Sequence, residues 1–350
     1  MLANMNTSQN FTISKNKTLI VLCISILLVS TIFGSLKFLP LVLLFLYKEI
    51  FKNITSLFVF LALSPLLLLT SFSNFSYFVV FILFIVLFSS KFHNSSKDVY
   101  HIYLNMMIPF LLVLPFFAQY EGNTYSVLTF GNRLFPVIPL INQSINPNTI
   151  AIIAAVCSVL AILNKRYYVF ALAFYILLIT QSRASIGFFF IVFMLCSNFS
   201  LKKIIAGLTA TGIFIYIISL TPIWERFSNY QENGRLETFA LYSHIISDSF
   251  PLGYPLKEYL EYSSKQPAGV DNLYLLGIIN FGYLFVYICA VFIFYIFLNK
   301  KDEFYKIRIA FFIGFFSFGL LEASFIGNYF LWPIFALCFN SFGRKNIRLL

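Results

Sequence analysis

The chain alternates between long apolar runs and short polar breaks. The runs lie at about 18–33, 35–47, 54–71, 75–90, 99–118, 149–163, 167–181, 185–197, 204–220, 272–298, 307–321 and 323–340. Continuous runs of this kind predict helices, because membrane strands are shorter and alternate at period two. Several runs fall short of the roughly 20 residues of an untilted span. Pro40, Pro65, Pro109 and Pro115 lie within the early runs, where neighbouring helices can satisfy the backbone groups that proline frees. The expected fold is all-α: a polytopic transmembrane helical bundle of about 12 helices, forming a single integral membrane domain over residues 1–350.

The polar breaks are unequal. The longest is 221–270, between the ninth and tenth predicted helices. A loop of about fifty residues is uncommon in a compact domain and is usually functional. Within it, Arg235–Ser247 can form a short amphipathic helix, and Pro251-Leu252-Gly253-Tyr254-Pro255 stops it. A second sizeable break, Gln119–Asn148, ends in Asn146-Pro147-Asn148. That triplet reads as a helix start, with Asn146 as N-cap and Pro147 at the first helical position.

Composition agrees with the pattern. The chain is 60% hydrophobic and 11% charged, against about 25% charged in soluble domains. Its net charge of +11 could point to nucleic acid, but the distribution argues otherwise. With the N-terminus inside, the loops on one side carry 17 of the 24 basic residues and four of the 13 acidic ones. This is the asymmetry of the positive-inside rule. Both termini are therefore assigned to the cytoplasm, the 221–270 loop to the opposite side, and no nucleic-acid partner is expected. No cleavable signal peptide is expected, since residues 1–17 are polar and the run from Thr18 lacks a small-residue cleavage site. The five cysteines sit inside apolar runs without a CxxC, and His93, His101 and His244 are scattered, so neither a metal nor a cofactor is expected. The phosphate-binding and nucleophile motifs of nucleotide-driven pumps and hydrolases are missing.

The candidate chemistry lies on the outer side. Arg183 occupies the tight turn Gln181-Ser182-Arg183-Ala184-Ser185 between two apolar runs. An arginine embedded this way costs several kcal/mol and is functional by default, the alternative being that it snorkels to lipid headgroups. Arg226 and Arg235 lie in the long loop and Arg133 in the first one. The planar guanidinium fork suits bidentate binding of phosphate oxygens, so these arginines are candidate contacts to a diphosphate. Asp271-Asn272 opens the tenth helix. Asp271 is either its N-cap or a carboxylate that takes a proton from a sugar hydroxyl, and Asn272 is a candidate substrate contact. His244 is a candidate substrate contact or a plain helix-face residue. Glu322 reads as a structural hydrogen-bonding group. Tyr254, Tyr259, Tyr262 and Tyr274 either stack on sugars or form an interfacial aromatic belt.

In order along the chain, Asn146-Pro147-Asn148, Ser182-Arg183-Ala184, Asn233-Gly234-Arg235, Ser249-Phe250-Pro251-Leu252-Gly253-Tyr254, Asp271-Asn272-Leu273-Tyr274-Leu275 and Phe281-Gly282 resemble the O-antigen ligase and O-antigen polymerase superfamily of bacterial envelope enzymes. The resemblance implies a metal-independent, inverting glycosyltransferase in the cytoplasmic membrane. Its donor would be an undecaprenyl-diphosphate-linked oligosaccharide, with membrane lipids and a chain-length regulator as further partners. Arg183 and Arg235 match the arginines that hold the diphosphate. Where ligases carry a histidine before the asparagine, this chain has Asp271, which favours a polymerase of O-antigen, capsule or exopolysaccharide over a ligase acting on lipid A core. Asp271 would then orient or deprotonate the acceptor hydroxyl. A transporter of lipid-linked sugars shares the arginines and is the third reading.

Overall fold

The computed structural model describes residues 3–30, 39–45, 72–92, 95–117, 124–138, 143–197, 235–250, 253–266, 272–297, 304–322 and 328–339, with isolated positions between them. The expected helices at 54–71 and 204–220 lie largely outside these residues. The described chain is helical, and its one strand pairing is a two-residue antiparallel hairpin, β1 (Val137–Ile138) with β2 (Gln143–Ser144). One segment among the described residues, Ser96–Phe117, is long and apolar enough to cross a membrane, and several shorter apolar helices accompany it.

The helices are α1 (Ala3–Ser30), α2 (Leu39–Phe45), α3 (Phe72–Phe92), α4 (Ser96–Val113), α5 (Thr124–Leu128), α6 (Pro147–Leu163), α7 (Tyr167–Ile179), α8 (Arg183–Cys196), α9 (Arg235–Asp248), α10 (Leu256–Ser264), α11 (Leu273–Phe281), α12 (Tyr283–Phe297), α13 (Tyr305–Gly319) and α14 (Trp332–Leu337). Three differ from expectation. α1 begins at Ala3, well before the apolar run at Thr18. α8 begins at Arg183, so the turn is shorter than the 181–185 stretch. The run 272–298 is two helices, because Gly282 takes φ 54° and ψ −134°, outside the helical region. A Cβ on Gly277 would lie 2.4 Å from the Phe285 ring, so α12 can fold back against α11 only over a glycine.

The chain forms two compact units. One comprises Met1–Tyr103, Glu237–Phe312 and Gly319–Leu350; the other comprises Leu104–Leu236 and Ile313–Phe318. In the first, fully buried Trp332 is ringed by Phe81 at 5.4 Å, Phe84 at 5.6 Å and Tyr329 at 5.0 Å. Such edge-on and tilted contacts suit the aromatic quadrupole. Lys17 on α1 and Asp98 in the first turn of α4 approach to 3.5 Å, and both were assigned to the inner side.

The long loop supplies a second cluster in this unit. α9 and α10 pack on α11 through Tyr242, Ile245, Tyr259, Val270 and Ile279. The expected helix from Arg235 ends one residue later than predicted, at Asp248, and the proline–glycine stretch separates it from α10 as expected. Gly253 explains the form of that stretch. Its φ is 99°, and a Cβ there would lie 2.3 Å from the Asn280 carbonyl oxygen. The next residue, Tyr254, donates its N–H to the Ile279 carbonyl at 2.6 Å. The loop thus closes on the end of α11 where no side chain fits.

In the second unit α6 is the central helix, buried on every side from Ile150 to Ala161, as an all-round apolar helix must be. Asn146 caps it as expected: its side chain accepts from the Asn148 N–H at 2.8 Å, and Pro147 opens the helix. It ends with Lys165 at φ 57°, whose N–H reaches Ile162, while the Arg166 N–H reaches Ala161 at 2.8 Å. This is a Schellman closure with lysine in the usual glycine position. α7 and α8 pack on α6.

Gly253→Ala is expected to destabilise the protein by about 2–3 kcal/mol, from the left-handed backbone and the clash with Asn280. Thermal unfolding of the purified protein in detergent measures it, and an unchanged melting temperature would contradict the docking of this loop on α11.

Candidate functional site

In unit two a group of polar side chains gathers at the C-terminal end of α7. α7 ends at Thr180, leaving carbonyl groups without helical partners. Residues 128–134 cross that end and supply donors. The Leu134 N–H donates to the Ile179 carbonyl at 2.9 Å. Arg133 donates through Nε to the Thr180 carbonyl at 2.7 Å and through Nη2 to Asn148 Oδ1. The Tyr175 hydroxyl donates to the Leu128 carbonyl. A guanidinium at a helix C-terminus also meets the negative end of the helix dipole. Arg133 therefore ties together the 119–148 loop, the end of α7 and the start of α6.

Gln181 follows with φ 52°, a left-handed conformation that costs roughly 1–2 kcal/mol outside glycine. Its N–H bonds Leu178 at 2.9 Å and its side chain is buried. Ser182 is the N-cap of α8, but its hydroxyl donates to Ser185 Oγ at 3.2 Å and makes no cap bond to the backbone. Thr180, Gln181, Ser182 and Ser185 are all buried. Arg183 is the first residue of α8 and half-buried. The turn thus sets a cation on the positive end of a helix, beside buried hydroxyls. Such an end favours an anion.

Asn148 and Thr180 were not singled out in the sequence. The legible signal was the second asparagine of Asn146-Pro147-Asn148, since capping α6 requires only the first. Arg166, at the other end of α7, donates to Asn105 at 2.6 Å. Arg166 and the Arg133–Arg183 group therefore lie at opposite ends of the α6–α7 hairpin.

The remaining candidates lie elsewhere. Arg235 opens α9; Arg226 and Asp271 lie outside the described residues. In the other unit, Asn272 caps α11. Its Oδ1 accepts from the Tyr274 and Leu275 N–H groups at 2.9 and 3.1 Å, and its Nδ2 donates to the Leu320 carbonyl at 2.9 Å. The capping role weighed for Asp271 thus belongs to its neighbour. His244 is exposed on α9 and meets the Tyr262 ring edge-on at 5.0 Å. Glu322 lies half-buried beyond the end of α13.

The tyrosines are structural in large part. Tyr242 and Tyr259 are buried in the loop cluster, and the Tyr262 hydroxyl donates to the Leu241 carbonyl at 2.8 Å. Burial pushes the Tyr259 hydroxyl above its usual range, neighbouring Tyr242 adds to this, and a hydrogen bond with Ser263 partly offsets it. The group stays a neutral phenol inside a packed interior, not an open stacking platform.

Comparison with known proteins finds no matching family model, no similar curated protein and no similar solved structure.

Arg133→Ala is expected to cost about 2 kcal/mol of stability, because it strips a charge-assisted donor from the end of α7. In a double-mutant cycle Arg133→Ala and Asn148→Ala should couple by about 1 kcal/mol. Thermal unfolding of the four proteins gives this number, and additive effects would mean that the two side chains act independently.

Proposed function

We propose that this chain is an integral membrane glycosyltransferase that polymerises polysaccharide repeat units carried on undecaprenyl diphosphate, at the outer face of the bacterial cytoplasmic membrane. The carrying observation is Arg183, the first residue of α8, on a turn whose polar groups are buried and which Arg133 ties in place. The order of short motifs shared with the ligase and polymerase superfamily supports the same reading.

Membrane placement is supported by apolar side chains that face outward along helices. Leu112 and Val113 on α4 are 42% and 50% exposed, and Val286 on α12 is 47% exposed. Phe116 and Phe117 continue the exposed pair Leu112–Val113, and soluble monomers rarely expose large contiguous apolar faces. With the basic loops inside, Arg133 and Arg183 belong to the outer side.

The chemistry follows from charge. An acceptor hydroxyl attacks the anomeric carbon of the donor, the bond to the lipid diphosphate breaks, and negative charge grows on the leaving group. Cations held in place before the reaction stabilise that transition state without reorganising. Arg183 and Arg235 are assigned this task. Asp271 is assigned the hydroxyl proton; with Asn272 already capping α11, the helix start does not require Asp271. A single displacement inverts the anomeric carbon.

Arg183→Ala is expected to slow chain elongation by about a hundred-fold or more, the cost of deleting one such donor, while the protein still inserts. Cells would then retain single repeat units on the carrier lipid. Normal-length polysaccharide in Arg183→Ala and Arg235→Ala cells would overturn the proposal. Long chains accumulating on the carrier would indicate a ligase, and transport of labelled substrate into empty vesicles without product would indicate a transporter. Asp271→Asn keeps the size and removes the base; full activity in that variant would reject Asp271 as the proton acceptor.

A further inference from the structure

The membrane reading leaves one surface unaccounted for. At the break between α11 and α12, Phe250 and Tyr283 stack with ring centroids 4.4 Å apart and planes 36° apart. Both are exposed, Phe250 at 36% and Tyr283 at 60%. Paired aromatic rings facing outward forgo the burial that normally stabilises such a pair. Phe250 comes from the long loop and Tyr283 is the first residue of α12.

The pair is continuous with a stripe on α12. Tyr283, Val286, Tyr287, Ala290 and Ile293 are all exposed, while Leu284, Phe285 and Ile288 point inward and are buried. The spacing puts the exposed set on one helix face. No charged residue occurs in α12. The ten residue steps of helix from Tyr283 to Ile293 rise about 15 Å, half of a hydrocarbon core about 30 Å thick. At one end of this stripe stands the aromatic pair. The same end is joined to polar, solvent-facing loop helices, since α10 carries the exposed pair Lys265–Glu261 at 2.9 Å.

We infer that Phe250 and Tyr283 form the outer-leaflet contact of the protein, seated at the boundary between lipid headgroups and acyl chains, and that the membrane-spanning segment begins at Gly282. α9 and α10 then form a loop-borne cap, held on α11 by the cluster of Tyr242, Ile245, Tyr259, Val270 and Ile279 and by the close approach of Gly253 to Asn280. This fits the break at Gly282: the chain changes direction where it enters the lipid. It also fits Tyr283, because aromatic side chains with a polar tip concentrate at that boundary, while Phe250 supplies an apolar ring on its acyl-chain side. The occupant of the surface is the bilayer itself. The inference rests on the membrane placement in the proposed function, but not on the reaction.

The test uses tryptophan as a depth reporter in the whole protein reconstituted into phosphatidylcholine vesicles. Phe250→Trp, Tyr283→Trp and, one turn further along α12, Val286→Trp are compared with the parent chain, whose two tryptophans set the background. Ser243→Trp, on the exposed face of α9, serves as a water-facing control. Lipids brominated near the glycerol end of the acyl chain are expected to quench the added fluorescence at 250 and 283. Lipids brominated further along the chain should quench best at 286. Iodide in the aqueous phase should quench only the 243 reporter strongly. Absence of bromolipid quenching at 250 and 283, with quenching retained at 286, would overturn the surface and leave the membrane placement standing. Absence at all three would overturn both. Substituting aromatic for aromatic keeps the pair packed, and the 286 reporter stands independently of either ring.

Discussion

In a chain this apolar the polar backbone groups at helix ends are the scarce problem, and the fold depends on how they are satisfied. A helix leaves four N–H and four C=O groups without intrahelical partners at its two ends, and in a low-dielectric setting each costs several kcal/mol if left so. The end of α7 is the clearest case. Leu134 and Arg133 close its carbonyls, and Asn148 holds Arg133 in place. α6 is capped by Asn146, and α11 by Asn272, whose amide also ties that helix to Leu320. Side chains that solve a backbone problem are thus also the struts between elements.

The candidate site grows out of that solution. Once Arg133 and Leu134 fix the end of α7, the chain must reverse within Thr180–Ser182 to start α8, and Gln181 accepts a left-handed backbone to do so. Arg183 then stands at the first position of a helix whose cap side chain is turned to Ser185. In the proposed reaction, a diphosphate that gains charge as its bond to sugar breaks would meet both this guanidinium and the positive end of the helix. The left-handed backbone at Gln181 is a local cost that the turn carries so that α8 can start at Arg183.

Much of this was legible in the sequence where a local rule applied. Asn146-Pro147 gave the start of α6, and the proline–glycine stretch gave the end of α9, because capping and turn preferences act over a few residues. The split at Gly282 was not legible: an apolar run has no polar interruption to mark a change of direction, and a lone glycine is common in such runs. Asn148 was missed because its partner, Arg133, is 15 residues away, and asparagine after proline has a bland local reading. Tyr254, Tyr259, Tyr262 and Tyr274 were read as belt or sugar platform, whereas Tyr259 is interior, packed with Tyr242. Composition alone does not separate a buried aromatic from an exposed one. The roles of Arg235 and Asp271 came from the family resemblance, and the helix start that made Asp271 a cap candidate is capped by Asn272 instead.

The most direct measurement is reconstitution of the purified chain, alone, with a synthetic undecaprenyl-diphosphate repeat unit, followed by gel and mass analysis of the products. The account predicts a ladder of repeat units with release of carrier diphosphate. Substrate that binds the protein and is recovered unextended, even with an acceptor of lipid A core supplied, would contradict it.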